Sequence, residues 1–207
     1  MTHAFALPRL LAVSAAALAF VGGSAMAESQ YGYTTTTGTQ VTATARVTLS
    51  IVVPKLILLR VGSTITGGDT LSWNAGFNIP PTPTVGNNQD YAWTGAAPAP
   101  ATITNPGALL ASAWTNSSGG GDLSYTATAF GAGGPTLANI TVTSAAATGA
   151  ALNHPLPATL AATSTTVTHF NPNALSNANW SYALSGSPGT WTPGTYNSTV
   201  TYTATSL

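Results

Sequence analysis

The chain contains no cysteine, which excludes disulfides, zinc–thiolate centres and thiol catalysis. Many small exported domains are stapled by disulfides, so this one must rely on burial, strand ladders or neighbouring subunits. Charge is almost as scarce, at 4% of residues against roughly 25% in an average domain. After residue 27 the cations are Arg46, Lys55 and Arg60, and the anions are Glu28, Asp69, Asp90 and Asp122. No basic patch exists to track a phosphate backbone, which argues against nucleic acid as a partner. A surface of Thr, Ser, Asn and Ala opposes association only weakly, which suits packing into a polymer or coat.

Catalytic groups are equally thin. After residue 27 the histidines are His154 and His169, and no Gly-x-Ser-x-Gly elbow surrounds any serine, so a nucleophilic triad has no visible frame. The carboxylates are isolated rather than opposed, as glycoside hydrolysis would require. Clustered oxygens for calcium come closest in Asn87-Asn88-Gln89-Asp90 and in Gly119–Asp122, and turn chemistry accounts for both. Gly119-Gly120-Gly121 lacks the Lys-Ser/Thr of a phosphate loop. The chain is expected to be no enzyme and to need no metal or cofactor.

Long apolar runs are absent too, beyond one near the start. Arg9, the run Leu10–Val21 and the small-x-small site Ala25-Met26-Ala27 have the form of a cleaved export signal. The run is shorter than the roughly 20 residues a membrane-spanning helix needs. Pro54, Lys55 and Arg60 interrupt the only other strongly apolar segment, so the mature chain is expected to carry no membrane span. What remains after residue 27 is long enough for one sizeable sandwich with its own core.

The stretch that organises the rest is Val41–Val61. Its odd positions Val41, Ala43, Ala45, Val47, Leu49, Ile51 and Val53 alternate with Thr42, Thr44, Arg46, Thr48 and Ser50. That period of two predicts a β-strand with one apolar and one hydroxyl-rich face. Beyond Pro54, which predicts a bulge, a sheet crossing or a strand edge, Leu56–Leu59 place apolar groups on both faces. A strand apolar on both faces has to be covered twice. Ahead of it, Glu28–Gln40 is polar and Thr-rich, the composition of a flexible arm.

Further strands are predicted at Asp69–Trp73, Tyr91–Trp93, Leu109–Trp114, Leu123–Ala129, Leu137–Thr143, Thr165–Phe170, Asn179–Leu184 and Thr195–Thr205. Gly/Pro/Asn turns separate them, and no helix-length 3.6-residue period appears after the export signal. The pattern predicts an all-β, antiparallel, immunoglobulin-like β-sandwich over 41–207, a single domain.

At the C-terminal end, Pro193-Gly194-Thr195-Tyr196 followed by Thr199-Val200-Thr201-Tyr202-Thr203 resembles the last strand of bacterial fimbrial-type subunits. Spore-coat-U-like secreted proteins and chaperone–usher pilins belong to that group. The resemblance implies a surface or extracellular structural subunit that reaches the exterior through the periplasm. It further implies self-association or a related subunit as partner, with a periplasmic chaperone assisting. Glu28–Gln40 lacks the alternating apolar residues of a donor strand.

In an incomplete sandwich a missing strand leaves an apolar groove that a partner strand can fill. The assembly residues expected on this reading are Ile51, Val53, Leu56, Leu58, Tyr196, Val200 and Tyr202. A second reading, a glycan-binding adhesin, rests on the five tryptophans Trp73, Trp93, Trp114, Trp180 and Trp191, since flat aromatics on a sandwich stack on sugars. Tyr91 and Trp93 beside Asp90 and Asn88 form the one stretch that combines aromatics with hydrogen-bonding groups on a loop, and are its candidate ligand site.

Overall fold

The computed structural model describes residues 28–63, 66–79, 88, 90, 92–155 and 158–207. The export signal expected over residues 1–27 lies outside them. The chain divides into two compact units, Met1–Val53 and Pro54–Leu207.

The described part of the first unit contains neither helix nor strand, and nearly every residue in it is exposed. The strand expected over Val41–Val53 is therefore not formed. Alternation alone does not make a strand, because each residue also needs a partner for its backbone groups. Val47, Leu49, Ile51, Val52 and Val53 stand 83%, 85%, 85%, 88% and 74% exposed.

The second unit is an all-β sandwich. Its strands are β1 (Ile57–Val61), β2 (Phe77–Asn78), β3 (Ala99–Pro100), β4 (Leu109–Thr115), β5 (Gly121–Ala127), β6 (Ile140–Ala146), β7 (Ala150–Ala151), β8 (Thr168–Phe170), β9 (Ser176–Leu184) and β10 (Val200–Ser206). One sheet runs β1-β4-β9-β6, with β7 also on β9; the other runs β10-β5-β8. Both are antiparallel except for the two-residue β7–β9 pairing. β2 and β3 form a separate two-stranded ribbon.

The alternation Leu123, Tyr125 in β5 and Ala111, Ala113 in β4 sends these residues inward, with Ile140, Val142, Phe170, Ala178, Trp180 and Tyr182 from the other strands, into one buried cluster shared by both sheets. Ala111, Ala113 and Ala178 are small where Trp180 is large, an arrangement that lets the two layers interdigitate. The Trp180 indole N–H, inside that core, donates to the Leu152 carbonyl at 2.9 Å.

Boundaries moved where a partner strand was missing or where a turn intruded. β1 begins only at Ile57 because its partner Thr115 is the last residue of β4; beyond it the chain turns through Gly120, at φ +75°, into β5. Leu137–Asn139 is a 3-10 turn instead of the start of β6. Asp69–Trp73 forms no strand, although Leu71 and Trp73 pack on the core. Ala92 and Trp93 form none either, and Tyr91 lies outside the described residues.

Candidate assembly site

The sandwich has two open edges on the same side. Among the described residues β1 pairs only with β4, and β10 only with β5. The two edges are neighbours across the sandwich, with Lys55 Nζ, just before β1, donating to the Leu207 carbonyl, just after β10, at 3.1 Å. Leu207 is held further by its own N–H, which donates to the Gly120 carbonyl at 3.0 Å, and by Ser117 Oγ, which donates to the Leu207 carbonyl.

Inward-facing residues at these edges are Ile57, Leu59 and Val61 on β1 and Val200, Tyr202 and Ala204 on β10. All six are only partly buried against the core. The equivalent residues of the inner strands, such as Ala111, Leu123 and Trp180, are fully buried. That contrast is what edge strands show, since each is covered on one flank only. A cavity of about 1030 Å³ opens between the two layers, lined from β1 and β10 and also by Leu109, Ile140, Tyr182 and Leu184. Leu59 and Val61 line it from β1 and Val200 and Tyr202 from β10, and Leu71, Trp73, Phe130, Trp191 and Tyr196 close its sides.

Local chemistry holds this rim in place. Gly62, at φ +89°, ends β1 where a Cβ would collide with the Asp69 carboxylate. That carboxylate accepts the Ser63 N–H at 2.7 Å, and the Arg60 guanidinium donates to the carbonyls of Gly62 and Ser63 at 2.9 and 3.1 Å. Asn105 Oδ1 accepts from both the Trp73 indole N–H and the Leu184 N–H, each at 3.1 Å. The Tyr196 ring lies directly against Gly134, where a Cβ would overlap it, and its hydroxyl donates to the Thr192 carbonyl at 2.5 Å.

A polar knot adjoins the cavity inside the core, with Tyr182 and Tyr202 both lining the cavity. His154 Nε2 and the Tyr202 hydroxyl are 2.8 Å apart, and the Tyr202 and Tyr182 hydroxyls 2.6 Å apart. Tyr125 and Trp180 pack their rings on His154. His154 Nδ1 is buried without a hydrogen-bond partner among the described residues. Burial pushes the His154 imidazole down to about 4, offset only in part by the Pro155 backbone, and pushes the Tyr182 phenol up to about 12. Tyr202 is raised further, first by burial and then by Tyr182 beside it. The knot stays neutral over the ordinary pH range and fixes the inner face of β10.

The structure divides the expected assembly residues into three sets. Tyr196, Val200 and Tyr202 line the groove. Leu56 and Leu58, 48% and 54% exposed, do not line it; Leu58 sits opposite Trp114 on the outer face of the first sheet. Ile51 and Val53 belong to the other unit and to no strand. Alternation within Ile57–Val61 divided the inner from the outer face. It could not reveal that Leu71, Trp73 and Phe130, from segments without strand structure, complete the lining.

Of the residues expected to bind a glycan, Trp93 is 66% exposed and its indole N–H donates to the Ala96 carbonyl at 2.6 Å. It borders a smaller cavity of about 410 Å³ with Asn78, Ile79 and Thr94. Asn88, in the left-handed conformation at φ +57°, and Asp90 are exposed but do not line that cavity. Tyr91 and Asn87 lie outside the described residues. The remaining tryptophans have structural places: Trp180 in the core, Trp73 and Trp191 at the groove, Trp114 on the outer sheet face.

His169 Nδ1 lies 3.0 Å from Asp122 Oδ1, on paired residues of β8 and β5 at the surface. Among the described residues no group of three or more His, Asp or Glu side chains could hold a metal ion, and no helix is long and apolar enough to cross a membrane. Comparison of the chain with known protein families, with curated proteins and with solved structures finds no match.

Proposed function

We propose that this chain is an exported, non-enzymatic structural subunit of a bacterial surface or extracellular assembly, with an immunoglobulin-like sandwich that self-associates by strand addition. The observation that carries the reading is the fate of Val41–Val53: a sequence patterned as a half-buried strand that lies exposed and forms no strand among the described residues. Contiguous exposed apolar surface on a protein with so little charge marks an interaction site. The open edges β1 and β10 supply the complementary need, since unpaired edges are templates for another strand.

Sedimentation velocity of the mature chain from Glu28 onward, over a hundredfold range of concentration and paired with electron microscopy, tests it. Concentration-dependent oligomers or filaments are the expected result. A monomer at every concentration would overturn the proposal.

A glycan-binding adhesin is the second reading, favoured by the exposed Trp93 ring beside its own cavity. It requires a chain that stays monomeric, binds sugars and loses that binding on Trp93→Ala.

A further inference from the structure

We infer that the cavity between the two layers is a binding site for a small, neutral aromatic molecule carrying one hydroxyl group, anchored by the Tyr182 hydroxyl. Its described lining residues all belong to the sandwich unit, from Leu59 to Tyr202. The inference therefore goes beyond the self-association reading and does not rest on it.

Size and charge limit the occupant. At about 1030 Å³ the cavity is at the upper end of clefts that enclose a drug-sized molecule. Among its described lining residues Asp69 alone is charged, and that carboxylate is engaged by the Ser63 N–H at 2.7 Å. An ion entering such a site would give up its hydration without a free partner of opposite sign. The occupant is neutral.

The walls select rings. Trp73, Phe130, Trp191 and Tyr196 line the cavity, with the buried Ile140 and Leu160. The Trp73 indole N–H donates to Asn105 Oδ1 at 3.1 Å, the Tyr196 hydroxyl donates to the Thr192 carbonyl, and the Trp191 ring packs on Gly186. With their polar atoms engaged, Trp73 and Tyr196 offer an occupant ring surface alone. Rings already held lose little freedom on binding, and a ring packed on a ring gains more than its buried area alone provides.

One polar group calls for a hydroxyl. His154 Nε2, the Tyr202 hydroxyl and the Tyr182 hydroxyl form a chain with steps of 2.8 and 2.6 Å, and Tyr182 brings its end to the cavity. Among the described residues the Tyr182 hydroxyl makes that one hydrogen bond. If Nε2 donates, Tyr202 donates to Tyr182, whose own proton is left to give. If Nε2 accepts, Tyr182 donates to Tyr202 and keeps a lone pair to offer. A ligand hydroxyl, donor and acceptor at once, completes the chain in either case, whereas a carbonyl completes it only in the first.

Equilibrium dialysis of the full mature chain against 2-naphthol, naphthalene and the charged 2-naphthoate tests the inference. The same three probes are applied to Tyr182→Phe, to Leu71→Trp, which enlarges a lining side chain outside the strands, and to Leu49→Asp with Ile51→Asp. Melting temperatures serve as folding controls. The expected result is saturable binding of one 2-naphthol per chain, about tenfold or more tighter than naphthalene, with 2-naphthoate weakest. Tyr182→Phe should erase the preference for 2-naphthol while keeping naphthalene binding, Leu71→Trp should weaken both, and the double aspartate variant should change neither. Binding lost only in the double aspartate variant would place the probes on the exposed stretch of the other unit and overturn the inference. So would 2-naphthoate binding as tightly as 2-naphthol, a preference that survives Tyr182→Phe, or no saturable binding at all. Should Tyr182→Phe fail to fold, the ranking of the three probes on the unsubstituted chain, with Leu71→Trp, still decides.

Discussion

Asn116 pairs with Leu56 twice: its side-chain Oδ1 accepts the Leu56 N–H at 2.7 Å, and its own N–H donates to the Leu56 carbonyl at 3.3 Å. Backbone and side chain of Asn116 together thus extend the β1–β4 ladder one step past the end of β4, and the chain entering β1 is fixed before the strand begins. Asn116→Ala removes Oδ1 and Nδ2 together. The expected loss is about 1–3 kcal/mol, read by urea denaturation of the mature chain. Asn116→Asp, which keeps the acceptor for Leu56 and loses the donor to Pro54, is expected to cost less.

The polar knot under β10 predicts stability falling at both ends of the pH scale. His154 unfolded titrates near 6.5 and folded near 4, so between those values the unfolded chain binds the extra proton. Stability is fully present above about pH 6.5 and declines as pH falls toward 4, by up to about 3 kcal/mol. The Tyr182 phenol is raised from 10.0 to about 12. Its contribution is complete below pH 10 and is lost as pH rises through about 12. Chemical denaturation across pH measures both arms. In His154→Gln the acid slope between 4 and 6.5 is expected to shrink, with the alkaline slope retained.

Trp180→Phe tests the core. The change empties part of the space beside the His154 and Tyr202 rings, and leaves the Leu152 carbonyl without its 2.9 Å donor. A destabilisation of about 2–4 kcal/mol is expected, visible as a fall in the denaturation midpoint at unchanged slope. A neutral outcome would mean the Leu152 carbonyl finds another partner.

Gly134→Ala tests the groove wall. A Cβ at Gly134 overlaps the Tyr196 ring, which must leave its bond to Thr192. The expected cost is about 1–3 kcal/mol, and association should weaken further because the displaced ring changes the cavity mouth. Comparing the denaturation midpoint with the sedimentation profile separates the two effects.

The surface pair Asp122–His169 should matter little. With His169 half exposed and Asp122 partly so, Asp122→Asn is expected to change stability by less than about 1 kcal/mol at neutral pH, measured by the same denaturation.

The sequence by itself determined that the chain is all-β and antiparallel, because period-two patterning with turn residues between strands leaves little else to form. The strands expected at Leu109–Trp114, Leu123–Ala129 and Asn179–Leu184 were legible for that reason, each within a few residues of the observed β4, β5 and β9, as was the set on the last strand that shares one face, Val200 and Tyr202. Tertiary structure alone decided which alternating segments became strands. Val41–Val53 has the cleanest alternation in the chain and no strand, since a ladder needs a partner and β4 ends opposite Ile57. It also decided the groove. Leu59, Ile140 and Tyr202 are far apart in sequence, and only the stacking of the two layers, with Trp73 and Phe130 brought in from segments without strand structure, makes the cleft. Local pattern reports which face of a strand is apolar, whereas a cleft is a property of layers that meet, and pairing across the whole chain sets that.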